Sequence, residues 1–123
     1  MDILVLLKRI GTLFVEVDDL SRQMADATGR QDEVSMQMVL AMRSEPIERL
    51  TIADAALREH IEALGENRQR VRQLLGGDAS AAQNETEKMI VEQAASNLRM
   101  HKKILEMDKV LNLKIAKDKS IYQ

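Results

Sequence analysis

The chain has 123 residues, a formal net charge of −2 and no cysteine. This length suits one domain with a modest hydrophobic core. Because Phe14 and Tyr122 are the only aromatic residues and acidic side chains slightly outnumber basic ones, neither base stacking nor a positive field favours nucleic acid as a partner. The lack of cysteine removes disulfides and thiolate metal sites, and it favours a cytoplasmic location.

The first predicted helix covers about residues 2–28. Its apolar residues recur at alternating spacings of three and four: Ile3, Leu6, Ile10, Leu13, Val17, Leu20 and Met24. This register is typical of a helix that packs along another helix. The early apolar run Ile3 to Leu7 is far shorter than the roughly 20 residues that span a bilayer, so we expect no membrane insertion.

The second predicted helix covers about residues 31–75, and Gly65 is expected to lie inside it. Pro46 follows Ser44, which is a suitable N-cap residue, so this segment is either one kinked helix or two helices that meet at Ser44. Its apolar row contains two polar positions, Asp54 and Arg68. These either fix the register of the pairing or lie at its edge in water. The row is Ile47, Leu50, Leu57, Ile61, Leu64, Val71 and Leu75.

The third predicted helix covers about residues 80–119 and is apolar on more than one side. One row holds Leu98, Leu105 and Asn112, and a second holds Met100, Ile104, Met107, Leu111 and Ile115. Such a helix either lies at the centre of a bundle or keeps a face for a partner. Methionine adapts to varied surfaces but also fills ordinary cores. We predict that the face carrying Met100, Ile104, Met107 and Leu111 binds a partner helix.

Together these segments predict an all-α fold, an antiparallel bundle or hairpin of three long helices in a single domain over residues 1–123. The sequence carries no recognisable catalytic motif. Neither His60 nor His101 has a carboxylate three or four residues away, as a bundle metal site of the Glu-x-x-His type needs. We therefore predict no catalytic, cofactor-binding or metal-binding residues.

Three stretches of the chain resemble the small flagellar type III export chaperones of the FlgN and FliT kind. They are residues 42–75, with spaced leucines and an Arg-rich end, residues 104–114, in which Asp108 precedes Asn112, and the basic tail from Lys114 to Tyr122. The resemblance implies a cytoplasmic helical protein whose C-terminal helix holds a helical segment of a hook-junction or filament-cap subunit before export. The implied contacts are Leu98, Ile104, Leu105, Met107, Leu111 and Ile115, with Asn112 and Tyr122 as polar partners.

The alternative from another functional class is a structural or adaptor protein that self-associates as a coiled coil. In this interpretation the apolar row of the first helix, including Ile10 and Val17, pairs with a second copy to form a homodimer. The two interpretations are compatible, since a chaperone can also be a dimer.

Overall fold

The computed structural model describes the backbone of residues 2–121 and the side chains of residues 2–114. Over these residues the chain is helical and contains no β-strand, which confirms the all-α prediction. The α-helices are α1 (Ile3–Gly29), α2 (Glu33–Glu62), α3 (Arg68–Leu75) and α4 (Glu85–Ile121), with short 3₁₀ turns at Gly65–Asn67 and Ala79–Ala81.

The break within the second predicted helix lies at Gly65 and not at Ser44. The helix α2 continues through Pro46, although a proline leaves the carbonyl four residues earlier without its N–H partner. Gly65 has a φ of 62°, a left-handed conformation that glycine adopts without steric cost. The prediction of a helix through Gly65 is therefore wrong, and residues 31–75 form two helices, α2 and the short α3.

The last helix begins at Glu85, about five residues later than predicted, because capping interactions fix its start. The Asn84 side chain accepts a hydrogen bond from the Glu87 backbone N–H at 2.9 Å, and the Glu87 carboxylate accepts one from the Gln83 backbone N–H at 2.9 Å. The same carboxylate pairs with Arg70 on α3. These bonds place the start of α4 beside α3.

The helix α1 is central, and α2 and α4 pack along it while touching each other little. Three contacts follow one another in the same order along α1 and α4: Asn97 to the Leu7 carbonyl, the His101 ring stacked on the Phe14 ring, and Lys103 beside Asp18. The helices α1 and α4 are therefore parallel. The turn of residues 30–32 reverses the chain, so α2 runs antiparallel to both.

Two hydrophobic clusters hold the helices together. The larger one joins the N-terminal half of α1 to the C-terminal half of α2, to α3 and to the start of α4. The smaller one consists of Leu20, Met24, Val39 and Leu111 and lies towards the other end. The whole predicted row of α1, from Ile3 to Met24, is buried in these clusters or between them.

Gly11 allows α1 and α4 to approach closely within the stretch of α1 that contributes to the larger cluster. A Cβ atom at this position would lie 2.7 Å from the Asn97 Oδ1 and 2.7 Å from the Gln93 Nε2. Asn97 is buried and donates a hydrogen bond to the Leu7 carbonyl at 2.9 Å. This contact sets which side of α4 faces α1.

Candidate partner-binding surface

The side of α4 that we predicted to bind a partner faces α1. Ile104 is 5% exposed and Leu111 is 7% exposed, and Leu111 belongs to the smaller cluster. Met100 and Met107 are half-buried and line shallow grooves between α1 and α4. Ile104 and Leu111 are thus core residues, and the row that combined them with the two methionines does not form an open surface.

The neighbouring row of α4 is exposed instead. Leu98 is 53% exposed and Leu105 is 54% exposed, and Asn112 continues the row into water. The remaining predicted contacts, the Ile115 side chain and Tyr122, lie outside the described residues. The structure therefore presents three of the predicted site residues together on one side of α4.

An ion pair between α2 and α4 determines which residues of α2 lie beside this row. Arg43 donates through Nη2 to both carboxylate oxygens of Asp108 on α4, at 3.0 and 3.1 Å. The Arg43 side chain is buried, and its Nε has no hydrogen-bond partner within the described part of the chain. Removing one partner of such a partly buried pair is more destabilising than breaking a surface ion pair, so Arg43 and Asp108 hold α2 and α4 at a defined register.

Two exposed apolar residues of α2 lie beside the row of α4. Ile47 is one turn after Arg43 on α2, and Leu105 is one turn before Asp108 on α4. Because α2 and α4 are antiparallel, one turn forward on α2 and one turn back on α4 point the same way along the bundle. Ile47 and Leu105 therefore lie at about the same level, and both face further away from α1 than the ion pair does. Leu40 lies one turn in the opposite direction and is likewise exposed. We call Leu40, Ile47, Leu98 and Leu105 the α2–α4 surface.

The contribution of α2 to this surface was not predicted from the sequence. Ile47 was expected to share one apolar row with Leu57 and Ile61, which the structure does bury. One feature of the sequence does indicate this surface. Leu40 and Ile47 are seven residues apart, as are the buried Val39 and Pro46, and each follows its buried counterpart by one residue. A second row displaced around the helix indicates a second face.

The polar positions within the predicted row of α2 and α3 lie in water. The Asp54 and Arg68 side chains are about half exposed and make ion pairs with Arg58 and Glu62 respectively. They therefore lie at the edge of the packed helices in water, which was the second of the two alternatives given for these positions.

Within the described part of the chain, no group of three or more His, Cys, Asp or Glu side chains is placed to hold a metal ion. The buried Asp18 carboxylate is held by Arg22 at 3.0 Å and lies 3.6 Å from the Lys103 Nζ. The Arg22 contact lies within α1, whereas the Lys103 contact joins α1 to α4.

None of the described helices is long and apolar enough to cross a membrane. The chain matches no protein-family model, no curated protein and no solved structure.

Proposed function

We propose that this protein is a non-catalytic, helix-binding chaperone that holds an amphipathic helix of a protein client on the α2–α4 surface. The observation that carries the proposal is the pair of exposed apolar rows, Leu98 with Leu105 on α4 and Leu40 with Ile47 on α2. Exposed large apolar residues that cluster on one face mark interaction sites more often than those scattered singly.

The spacing of these rows suits a helical client. Each row places two apolar residues seven positions apart, which is about 10 Å along a helix axis. A client helix laid between two such rows contacts them with residues spaced by three, four and seven, the pattern of helix-in-groove recognition. The half-exposed Leu and Ile side chains at both rows then become buried by the client.

The resemblance to the flagellar export chaperones supports a more specific proposal. In this proposal the client is a hook-junction or filament-cap subunit, and the protein holds its helical segment in the cytoplasm before export. The C-terminal helix α4 contributes Leu98, Leu105 and Asn112, and Ile115 and Tyr122 are further contacts implied by the resemblance. Ile104 and Leu111 contribute to client binding only indirectly, because they are buried and hold α4 against α1.

The proposal is tested with two aspartate double variants of the same helix. L98D/L105D places charges on the α2–α4 surface, whereas V110D/L113D places them at exposed positions on other sides of α4. Far-UV circular dichroism checks that both remain helical. Binding is measured by fluorescence anisotropy with labelled synthetic peptides of the terminal helices of a filament-cap subunit and of a hook-junction subunit.

We expect L98D/L105D to weaken peptide binding by at least about thirtyfold, because burying one leucine contributes about 1.5 kcal/mol or more and an introduced charge resists desolvation. The control V110D/L113D should bind within about twofold of the parent, since surface changes outside the contact have little effect. Equal binding by both variants, or no binding of either peptide by the parent, would contradict the proposal.

A further inference from the structure

A second exposed stripe runs along α2 on the side opposite Leu40 and Ile47. Met38 is 62% exposed, Met42 is 50% exposed and Ile52 is 64% exposed, and Ala56 is exposed as well. Between them lie Glu45 and Arg49, which also face water. We call these six residues the α2 stripe; their spacings of four and three are those of a helix-pairing seam.

The α2 stripe is complementary to itself when a second copy is placed antiparallel. A two-fold axis at the level between Glu45 and Arg49 sets Glu45 opposite the second copy's Arg49, and Arg49 opposite the second copy's Glu45. The same axis sets Met42 opposite the second copy's Ile52 and Met38 opposite its Ala56. A symmetric interface requires this kind of self-matching pattern, with apolar facing apolar and acid facing base.

Two grooves between α1 and α2 lie along one side of the α2 stripe. One groove between α1 and α2 lies beside Ile52 and Ala56 and is floored by the apolar Leu6, Leu13 and Ala53. The other lies beside Met38 and Met42, and its lining combines the apolar Ala27 and Val39 with the polar Gln23, Asp26, Arg30 and Ser35. The two-fold axis brings the second copy's Met42 to the first groove and the second copy's Ile52 to the second. A flexible methionine side chain suits the first groove, whose floor is apolar.

We infer that the α2 stripe is the interface of a homodimer in which two copies of α2 pack antiparallel. Glu45 and Arg49 already pair within one helix at 2.5 Å, and in the dimer the two pairs form a four-membered network at the axis. Charges at the centre of an apolar seam set register and orientation. The predicted pairing through α1 is not available to a partner, since Ile10 and Val17 are buried.

Charge reversal tests the register directly by sedimentation velocity over a range of protein concentrations. E45R places four arginines at the axis and R49E places four acids there, so each should weaken dimerisation by at least about tenfold. The swap E45R/R49E restores opposite charges across the axis and should dimerise within about threefold of the parent. An equimolar mixture of E45R and R49E should form a heterodimer.

The matched control is D54R. Asp54 and Arg58 form the same kind of pair four residues apart on α2, but they lie off the α2 stripe, so this variant should dimerise like the parent. A parent protein that stays monomeric at every concentration would overturn the inference. So would a swap variant that fails to recover, because recovery is specific to the antiparallel register.

Crosslinking gives an independent reading, because the chain contains no cysteine. The double variant M42C/I52C should form an intermolecular disulfide under mild oxidation, since these positions face one another across the axis. M42C and I52C alone are the controls, because ten residues of helix, about 15 Å, separate the positions. Crosslinking of the single variants to the same extent as the double variant would overturn the proposed register.

Discussion

The close approach of α1 and α4 at Gly11 predicts that alanine destabilises the protein there. In a helix interior alanine is ordinarily favoured over glycine by about 1 kcal/mol. At this position, however, the added Cβ would lie 2.7 Å from both the Asn97 and the Gln93 side-chain amides. Gln93 can move its flexible end, but Asn97 is buried and bound to the Leu7 carbonyl. Displacing such a group costs about 1–3 kcal/mol.

The two contributions have opposite signs, and the expected net effect of G11A is a loss of about 1 kcal/mol in the free energy of unfolding. Removing the obstacle reverses the sign. In the N97A background the Cβ has space, so the same substitution should stabilise the protein by up to about 1 kcal/mol. The coupling between the two positions is then about 2 kcal/mol, which is large enough to measure in a double-mutant cycle.

The assay is urea unfolding followed by far-UV circular dichroism for the parent, G11A, N97A and the double variant. A coupling near zero, with G11A stabilising both backgrounds equally, would refute the close packing of α4 on α1 through Gly11. It would also remove the reason why the row of Ile104 and Leu111 faces inwards. The refuting outcome therefore bears on the assignment of the partner-binding surface as well as on stability.

Two further predictions use the same assay. L111A should lower the free energy of unfolding by about 2–3 kcal/mol because it leaves a cavity in the smaller cluster. L105A should change the free energy of unfolding by less than about 0.5 kcal/mol, because Leu105 is exposed. Similar losses for the two variants would contradict the assigned orientation of α4. The hydrogen bond from Arg70, and then that from the Gln83 backbone N–H, lower the pKa of Glu87 from its ordinary value of 4.5. The resulting stabilisation is present above pH 4.5 and is lost as the pH falls through the lower folded-state pKa, so E87Q should flatten the acid-side pH dependence; an unchanged profile would show that this carboxyl does not contribute.

The apolar period of a helix predicts which residues share a face but not which face is covered. For α1 one strong row was sufficient, and the structure buries all of it. For α4 two rows compete, and the choice between them depends on Gly11 and Asn97, whose contact joins residues far apart in sequence. Residues of both rows were therefore predicted to contact a partner, although the structure exposes Leu98 and Leu105 and buries Ile104 and Leu111.

The break in the second predicted helix depends on backbone conformation, which residue types indicate only weakly. Ser44 before Pro46 is a common start of a helix, whereas an isolated glycine in a periodic segment is often tolerated. The structure instead carries α2 through Pro46 and turns at Gly65. The turn lets Val71 and Leu74 of α3 fold back onto the larger cluster. The burial of α3 against the larger cluster therefore determines where the second predicted helix breaks, although Ser44 and Pro46 favour an earlier break.

The two proposed surfaces lie on opposite sides of α2, so their functions can be separated by experiment. The dimer-breaking variant R49E should bind a client peptide with unchanged intrinsic affinity, because Arg49 does not contact the α2–α4 surface. The variant L98D/L105D should lose the peptide and remain a dimer. If R49E also lost peptide binding, client recognition would require both copies, and the α2–α4 surface of one copy would be an incomplete site. If instead both variants behave as expected, a dimer presents two separate client surfaces, and only a client with two helices gains avidity from it.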